Sequence, residues 1–224
     1  MTAAVKKRGA ATGTESLRVL LVEDHPVFRR GVKEIIADEF GNVHFGEAGD
    51  VAEALNLLED GWDILILDIS MPGRSGMDLL RETARSSPQL PVLVLSMHPE
   101  DQYALRVMRQ GAWGYMTKET APDKLIIAMR RLLAGKKYVT EHLTQKILSD
   151  LTGRGRRDPH EGLSDREYEV LVMIASGKTV SEIADELSLS VKTISSYRSR
   201  LLGKMGLDNN AQLMAYALKH GLVI

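Results

Sequence analysis

Residues 64–73, which read Ile64-Leu65-Ile66-Leu67-Asp68-Ile69-Ser70-Met71-Pro72-Gly73, decide how this chain folds. The four consecutive apolar residues before Asp68 predict a strand that is buried on both faces, as in a parallel sheet. Pro72 and Gly73 stop the strand and predict a loop. A carboxylate at the carboxyl end of such a strand lies where open α/β sheets bind ligands. A lone Asp after a strand also commonly caps a turn, so this stretch alone leaves both interpretations open.

Apolar runs on both sides of this stretch predict four more strands of the same sheet. The alternating helical patterns begin near Pro26 and Pro122 and elsewhere have apolar residues at helical spacing. Strands and helices in alternation predict an α/β fold, a doubly wound five-stranded parallel sheet with helices on both faces. The predicted strands are 17–22, 43–47, 64–67, 91–96 and 112–116, and the predicted helices are 26–36, 51–58, 77–84, 103–108 and 122–133.

Polar residues follow four of these strands and should meet in one crevice at the carboxyl edge of the sheet. They are Glu23, Asp24, Asp68, Ser96 and Lys118. Three carboxylates in one place repel each other unless a cation lies among them, and a hard divalent ion such as Mg²⁺ meets that need. The set suits an Asp nucleophile that attacks a phosphoryl group. The alternative is a structural salt-bridge cluster, which is disfavoured because buried ion pairs add little net stability.

Composition excludes several classes of function. The chain has 224 residues, a net charge of -1 and no cysteine, so disulfides, thiolate catalysis and cysteine-ligated zinc are excluded. Nucleic-acid binding would have to come from a local basic patch. The six histidines show no metal-ligand spacing. No apolar run is long enough to span a membrane, so we expect no membrane partner. Residues 1–16 lack the apolar segment of a signal peptide. We therefore expect these residues to form a disordered tail and the protein to be cytoplasmic.

Residues 135–161 are expected to link two domains. Gly135 ends the preceding helix, and Thr140 to Leu151 has the pattern of a short amphipathic helix. Residues 153–159 contain no apolar side chain and predict a flexible segment. Its three arginines suit either a solvated linker or contacts with DNA phosphates; they are Arg154, Arg156 and Arg157.

Residues 162–224 have the punctuation of a small all-α helix-turn-helix domain. Two capping boxes, Ser164 to Glu167 and Thr179 to Glu182, each open a helix. A tight turn at 188–190 follows the second helix, and Ser190 then caps a third helix that runs from Val191 to Met205. Two short helices joined by such a turn predict a helix-turn-helix motif, and a last helix is expected at about 210–220.

The third helix has an apolar side and a polar side. Apolar residues at helical spacing should pack on the other helices, namely Val191, Ile194, Leu201, Leu202 and Met205. No acidic residue occurs between Val191 and Met205. Cations and hydroxyls on an exposed helix suit contacts in a major groove, and a merely solvated basic face is the alternative. The candidate DNA-binding residues are Lys192, Thr193, Ser195, Ser196, Ser199 and Arg200.

The N-terminal pattern, over residues 17–134, resembles the receiver domain of two-component response regulators. This resemblance implies a flavodoxin-like sheet. The resemblance rests on Glu23-Asp24, on Asp68 with Met71-Pro72-Gly73, on Ser96 and on Lys118. It implies that a partner histidine kinase phosphorylates Asp68. The resemblance also implies a Mg²⁺ site, whose ligands are Glu23, Asp24, Asp68 and the Ser70 backbone carbonyl. It implies that Lys118 pairs with the phosphate. It further implies a switch, in which Ser96 is the hydroxyl that moves and Tyr115 is the aromatic side chain that changes rotamer with it. For Tyr115 an ordinary core role is the alternative, and Ser70 and His98 lie at positions thought to tune phosphate lifetime.

The C-terminal pattern is similar to the DNA-binding domain of the NarL/FixJ (LuxR-type) response regulators over residues 162–224. The resemblance rests on Leu163-Ser164-Asp165-Arg166-Glu167 and on residues 190–197, which read SVKTISSY. The family more often has Thr where Ser164 stands, and both hydroxyls cap a helix. The resemblance implies that the polar side of the third helix faces DNA and that the last helix pairs two effector domains.

Together these patterns predict a transcription factor controlled by phosphorylation, which binds double-stranded DNA and forms a homodimer on activation. We expect no enzymatic activity beyond the receiver's own phosphorylation and dephosphorylation. One alternative is an aspartyl-phosphate phosphotransferase or phosphatase that uses Asp68, but two residues after this nucleophile the chain has Ser70 and not a second acid. Another is a phosphorylation-independent DNA-binding protein with a vestigial receiver, which the intact acidic pair, hydroxyl and lysine argue against.

Overall fold

The computed structural model describes residues 16–71, 75–151 and 158–223. The expected tail, apart from its last residue, lies outside the described residues, as do Pro72, Gly73 and the arginines of the linker.

Five parallel strands form one sheet with the order β2-β1-β3-β4-β5. Their bounds are β1 Leu17–Val22, β2 Val43–Ala48, β3 Ile64–Asp68, β4 Val92–Ser96 and β5 Gly114–Thr117. The predicted doubly wound sheet is therefore confirmed. The fifth strand begins two residues later than predicted because the Ala112 amide donates to Val107 O and so still belongs to the end of the preceding helix.

Helices cover both faces of the sheet, which explains the uninterrupted apolar runs. The bounds are α1 Pro26–Phe40, α2 Val51–Leu57, α3 Gly76–Ser86, α4 Glu100–Arg109 and α5 Ala121–Leu133. Helices α1 and α5 share one apolar core with the sheet, in which Ile36 and Leu125 are fully buried. Helices α2, α3 and α4 cover the other face, and every residue of β3 is consequently buried.

The C-terminal half is all helical, as predicted. Its helices are α7 Asp165–Ala175, α8 Val180–Glu186, α9 Val191–Met205 and α10 Asn210–Lys219. Both capping boxes form, and Ser190 caps α9 by accepting a hydrogen bond from the Thr193 amide. Helix α9 ends at Gly206, which has a φ of 65°, a left-handed conformation that glycine adopts without steric cost.

The connecting segment contains the short helix that its sequence predicts. Helix α6 (Glu141–Leu151) packs on α4 through the buried Leu143. A short 3₁₀ helix at Pro159–Gly162 lies against the C-terminal helices, because the His160 ring contacts both Tyr168 and Tyr216. Residues 158–161 therefore pack with the helical domain rather than stand free.

The two halves contact each other through α4 and α7. The ring of Tyr103 on α4 meets the ring of Tyr168 on α7 edge to face, with centroids 5.0 Å apart. Arg106 donates to Leu163 O at 2.7 Å and pairs with Asp165 at 3.0 Å, and its guanidinium lies over the Tyr168 ring. Arg81 on α3 also pairs with Asp165, at 2.7 Å. An aromatic contact and charged hydrogen bonds therefore hold the N-terminus of α7 against the sheet domain.

Among the described residues, no helix has both the length and the apolar character that crossing a membrane requires.

Candidate functional site

The carboxyl edge of the sheet brings three distant charges into contact. Lys118, just after β5, places Nζ 2.6 Å from Asp68 Oδ2 and 2.7 Å from Glu23 Oε2. All three residues are buried, as is Ser96 at the end of β4. Parallel strands make this convergence unavoidable, because each strand delivers its last residue to the same edge. The structure thus places these four predicted residues together.

The backbone after β3 holds Asp68 from the other side. The Ser70 amide donates to Asp68 Oδ1 at 2.7 Å, so both carboxylate oxygens of Asp68 are engaged. Helix α3 begins so close to this strand that a Cβ on Gly76 would lie 2.5 Å from the Asp68 carbonyl oxygen. Any larger residue at position 76 would push the helix away, and this glycine is a structural requirement of the site that sequence reasoning missed.

Asp24 and His25 complete the pocket on its open side. Asp24 Oδ1 is buried yet finds no hydrogen-bond donor among the described residues, although His25 Nδ1 lies 2.8 Å away in a geometry too poor for a hydrogen bond. His25 Nδ1 is also 3.0 Å from Glu23 Oε1, and the imidazole is largely exposed. His25 follows the acidic pair directly in the sequence, and the fold brings its ring to the same group of carboxylates.

Burial and charge oppose each other in this pocket. Burial, followed by the nearby Asp68 carboxylate, raises the pKa of Glu23 despite its bonds to Lys118. Burial alone would lower the pKa of Lys118, but Asp68 and Glu23 outweigh it and raise the pKa above its ordinary value. Lys118 therefore stays charged at neutral pH, and its single positive charge lies between the two carboxylates of Glu23 and Asp68.

The donor set fits Mg²⁺. Hard divalent cations prefer oxygen ligands, and the carboxylates of Glu23, Asp24 and Asp68 approach within 4.8 Å of one another together with the His25 ring. The Asp24 oxygen that lacks a donor is an unsatisfied buried acceptor of the kind that a cation satisfies. Ser70 lies beside this group, with a buried hydroxyl that also finds no partner among the described residues.

A run of contacts leads from the pocket to the helical domain. Ser96 Oγ accepts a hydrogen bond from the His98 amide at 3.1 Å. The buried Tyr115 hydroxyl donates to His98 O at 2.7 Å. The His98 ring stacks on Tyr103 at 4.0 Å, and Tyr103 in turn meets Tyr168. Burial lowers the pKa of His98, which keeps this stacked imidazole neutral at physiological pH.

The polar side of α9 is exposed, as predicted. Lys192, Ser195, Ser196, Ser199 and Arg200 are exposed, and Thr193 is partly so. Ile194, Leu201, Leu202 and Met205 are buried against the other helices. The expectation that Val191 also packs is wrong, since it is 50% exposed. Side chains of a helix lean toward its N-terminus, so the first residue of α9 extends past the packed surface.

Three side chains of this face are engaged within the helix itself. Thr193 Oγ1 lies 2.7 Å from the capping hydroxyl of Ser190, and Ser196 donates to Lys192 O at 2.9 Å. The Arg200 guanidinium lies over the Tyr197 ring. The basic residues elsewhere on α9 are partly occupied, because Lys204 pairs with Glu167 at 2.6 Å and Arg198 donates to Asn210 at 2.6 Å.

Comparison with protein families matches both halves of the chain. The family model of the response regulator receiver domain matches residues 19–130, and that of the bacterial regulatory proteins of the luxR family matches residues 161–217.

Individual relatives match nearly the whole chain. The response regulator UvrY of Escherichia coli K12 is 34% identical over 208 residues, which are 92% of this chain and 95% of UvrY. The response regulator GacA of Pseudomonas aeruginosa is 33% identical over 209 residues, 92% of this chain and 98% of GacA. A solved structure of RcsB from Salmonella enterica serovar Typhimurium, bound to promoter rprA in the presence of the phosphomimetic BeF3-, has a TM-score of 0.59 and 30% identity over 90% of this chain and 98% of that chain.

Three observations agree on the family of this chain. They are the receiver fold with its acidic pocket, the helix-turn-helix domain with its exposed basic helix, and the similarity to these regulators over nearly the whole chain. The chain belongs to the NarL/FixJ (LuxR-type) family of response regulators, which regulate transcription.

Proposed function

We propose that Asp68 accepts a phosphoryl group from a partner histidine kinase and that this phosphorylation controls DNA binding by α9. The observation that carries the proposal is the buried contact of Lys118 with both Asp68 and Glu23 at the edge of the sheet. A structural ion pair needs one acid and one base, whereas this pocket holds an excess of carboxylate that only a further cation balances.

The residues of the pocket divide the chemistry among themselves. A carboxylate oxygen of Asp68 attacks the phosphorus of a phosphohistidine, so that an O–P bond forms, the N–P bond breaks, and the imidazole leaves with a proton from solvent. Lys118 holds the carboxylate in place and then pairs with the oxygens of the phosphoryl group. The Ser96 hydroxyl supplies a hydrogen bond to the same group when it exchanges its present partners.

Glu23, Asp24, Asp68 and the Ser70 backbone carbonyl would hold Mg²⁺, which supplies electrostatic stabilisation of the phosphoryl oxygens when it is bound. Asp24 offers the oxygen that lacks a hydrogen-bond donor, whereas Glu23 is already paired with Lys118. Asp24 is therefore assigned as the more important ligand of the two.

The route to the helical domain starts at Ser96. When Ser96 turns toward the phosphoryl group, its hydrogen bond from the His98 amide changes. His98 also accepts a hydrogen bond from Tyr115 and stacks on Tyr103, which contacts Tyr168 of α7. A cavity of about 500 Å³ lies between the two halves, lined by Asp24, Ser70 and His98 on one side and by Glu169 and Met173 on the other. A kinase reaches Asp68 from this side, so phosphorylation and the present packing of the halves compete.

The output is a dimer that places two copies of α9 on successive half-sites of double-stranded DNA. Met214 and Leu218 on α10 are exposed, which suits the pairing of two such helices. Solved structures of the relative RcsB include two dimers bound to two parallel DNAs. Because chromosomal DNA is the target, the site of action is the cytoplasm. The proposed division is residues 17–134 for the receiver, 135–161 for the connector and 162–224 for the DNA-binding domain.

The test of the nucleophile is Asp68→Asn, which keeps the shape of the side chain and removes its charge. With a small-molecule phosphodonor and Mg²⁺, the variant should incorporate no base-labile phosphate and should lose the increase in DNA affinity that the donor produces. Asp123→Asn, which changes an exposed acid in the first turn of α5, is the matched control and should behave as the parent. Base-labile phosphate on the Asp68→Asn protein would show that another residue is the acceptor.

The test of the cation site compares Asp24→Asn with Glu23→Gln in Mg²⁺ titrations followed by tryptophan fluorescence. Both should weaken Mg²⁺ binding because each removes a negative charge, and Asp24→Asn should weaken it more. Titration curves equal to that of the parent in both variants would contradict the site.

The test of coupling is Arg106→Gln, which removes the ion pair with Asp165 and the bond to Leu163 O. The halves should separate more readily, so unphosphorylated protein should bind DNA more tightly and accept phosphate faster. Arg85→Gln on α3 is the control, since Arg85 is exposed and, among the described residues, forms an ion pair only with Glu82 of the same helix. An Arg106→Gln protein with parental DNA affinity and phosphorylation rate would show that this contact does not restrain either domain.

A further inference from the structure

Far from the acidic pocket, the fold brings two histidines and an aspartate together where the sequence shows no metal-ligand spacing. Asp158 precedes the 3₁₀ helix at Pro159–Gly162, His160 lies in it, and His220 caps the end of α10. The candidate ligand atoms of these three residues all lie within 4.8 Å of one another. Sixty positions along the chain separate the two histidines, so only the packing of α10 against this segment assembles the group.

We propose that Asp158, His160 and His220 form a binding site for a divalent transition metal of the zinc class. Two imidazoles and one carboxylate are a donor set that selects Zn²⁺, Cu²⁺ or Ni²⁺ over the oxygen-seeking Mg²⁺. The site therefore differs in chemistry from the acidic pocket, whose proposed ligands are all oxygen atoms.

The spacing of the donors agrees with a shared ion. His220 Nδ1 lies 3.5 Å from Asp158 Oδ2. Metal–ligand bonds of ~2.0–2.2 Å in tetrahedral geometry place two ligand atoms ~3.4 Å apart. This pair is thus spaced as the edge of a coordination tetrahedron, and it is longer than a strong charged hydrogen bond.

Neighbouring groups orient the two rings as outer-shell partners do. His160 Nδ1 lies 2.9 Å from the Tyr216 hydroxyl, a hydrogen bond that sets the plane of the imidazole. The Tyr216 ring also stacks on His220 at 4.1 Å and so restrains the second histidine. One tyrosine of α10 therefore positions both histidines, an arrangement that reduces the conformational entropy lost on metal binding.

The site has room and access. It borders a cavity of about 390 Å³ between the two halves of the molecule, which leaves space for a water or an exchangeable fourth ligand. Arg106 also lines this cavity, but Asp165 neutralises its charge, and its guanidinium donates to the backbone oxygens of Leu163 and His160. Arg106 belongs to the receiver half. A bound ion would therefore restrict the motion of the 3₁₀ helix at Pro159–Gly162, which Arg106 contacts.

The test is a titration of the full-length protein with Zn²⁺ against a colorimetric chelator, in excess Mg²⁺ so that the acidic pocket is saturated. We expect one Zn²⁺ per chain. His160→Ala, His220→Ala and Asp158→Asn should each weaken binding by more than the ~10–100-fold that loss of an outer-shell partner typically costs, and Tyr216→Phe should fall within that range. His142→Ala, an exposed histidine on α6, should bind as the parent does.

Two further measurements keep the test decisive. Helical ellipticity of each metal-free variant establishes that it is folded, and Asp158→Asn alters a side chain that is 41% exposed, so it keeps the packing intact. Asp24→Asn separates the two sites, because it should leave Zn²⁺ binding unchanged. Absence of Zn²⁺ binding, equal binding by the parent and all three ligand variants, or loss of binding in Asp24→Asn alone would each overturn the proposal.

Discussion

Lys118 and Lys192 are both cations that we propose to contact phosphate, and their surroundings are opposite. Lys118 is 7% exposed and bonded to two carboxylates that come from other strands. Lys192 is exposed on the first turn of α9, and it makes no ion pair within the described part of the chain. The first lysine is held in place before its ligand arrives, whereas the second leaves its charge available for a partner that is itself a dense array of phosphates.

We attribute the difference to the chemistry of the two proposed ligands. A phosphoryl group is small, and its transfer requires charges that are already oriented, so the receiver buries them at a rigid sheet edge. DNA is long and its affinity depends on the number of phosphates neutralised, so exposed side chains on one helix suffice. Substitutions in the pocket should therefore change stability and chemistry together, while substitutions on the face of α9 should change binding alone.

The largest effect expected is that of Lys118→Met, which leaves Glu23 and Asp68 buried without their cation. The receiver should lose about 4 kcal/mol of unfolding free energy at neutral pH, as removal of one partner of a buried pair typically costs. Urea unfolding followed by tryptophan fluorescence measures this domain selectively, since the two tryptophans of the chain, Trp62 and Trp113, both lie in it. Lys124→Met on the exposed side of α5 is the control. A loss as small as that of the control would mean that Lys118 is not what neutralises the pocket.

A loss of about 3 kcal/mol is expected in the DNA-binding domain for Ile194→Ala, because this side chain is fully buried between the helices. Val191→Ala, one turn earlier on the same helix, should change stability by less than about 0.5 kcal/mol, since Val191 is half exposed. Ellipticity of the helices during unfolding distinguishes the two. Equal losses would restore the interpretation that Val191 packs, which the structure contradicts.

An intermediate effect is expected for Glu167→Ala. Burial would raise the pKa of Glu167, but hydrogen bonds from Lys204 and from the Ser164 amide outweigh it and lower the pKa. The variant loses the capping box and the contact between α7 and α9, so we expect a cost of about 2 kcal/mol, of which the half-exposed Lys204 contributes the smaller part. A carboxyl with a lowered folded pKa stabilises fully above its ordinary pKa of about 4.3 and less as pH falls through the folded value.

The pH dependence provides the check on this assignment. The difference in unfolding free energy between the parent and Glu167→Ala should be constant near neutral pH and should shrink as the pH falls below about 4. Glu167→Gln keeps the capping hydrogen bonds but not the charge. Its unfolding free energy should lie between that of the parent and that of Glu167→Ala. A difference that grows on acidification would have the wrong sign for an ionised, hydrogen-bonded Glu167.

The smallest effects concern the face of α9 and separate positioning from specificity. Lys192→Ala should weaken binding to specific and random duplexes alike and lower the salt slope by about one, because it removes one phosphate contact. Ser196→Ala should narrow the gap between the two duplexes by roughly 1 kcal/mol. The Ser196 hydroxyl donates its hydrogen bond to Lys192 O. To contact a base it must either accept a hydrogen bond from that base or give up the bond to Lys192 O. We therefore expect the loss of discrimination to be no larger than this. Salt titrations of both variants on both duplexes check these expectations. A Lys192→Ala protein with an unaltered salt slope, or a Ser196→Ala protein with undiminished discrimination, would exclude the proposed docking of α9 on DNA.

Sequence alone determined the elements and their order. Both capping boxes, the Ser190 cap and the alternation of strands and helices are local patterns, and short-range hydrogen bonds and burial on two faces enforce them. The convergence of Glu23, Asp68, Ser96 and Lys118 was also predictable, because parallel strands deliver their ends to one edge regardless of packing detail. The resemblance to response regulators added the roles, and the assignment of those roles to individual residues stays a prediction.

Tertiary structure alone decided the contacts that no periodicity encodes. The closeness of α3 to Asp68, which requires Gly76, depends on how a helix is seated on a sheet. The grouping of Asp158, His160 and His220 depends on the packing of α10 against the segment that precedes α7. The Tyr103–Tyr168 contact depends on how the two halves of the molecule pack together. Sequence patterns specify which face of each element is apolar, whereas the neighbours of that face follow only from packing in three dimensions.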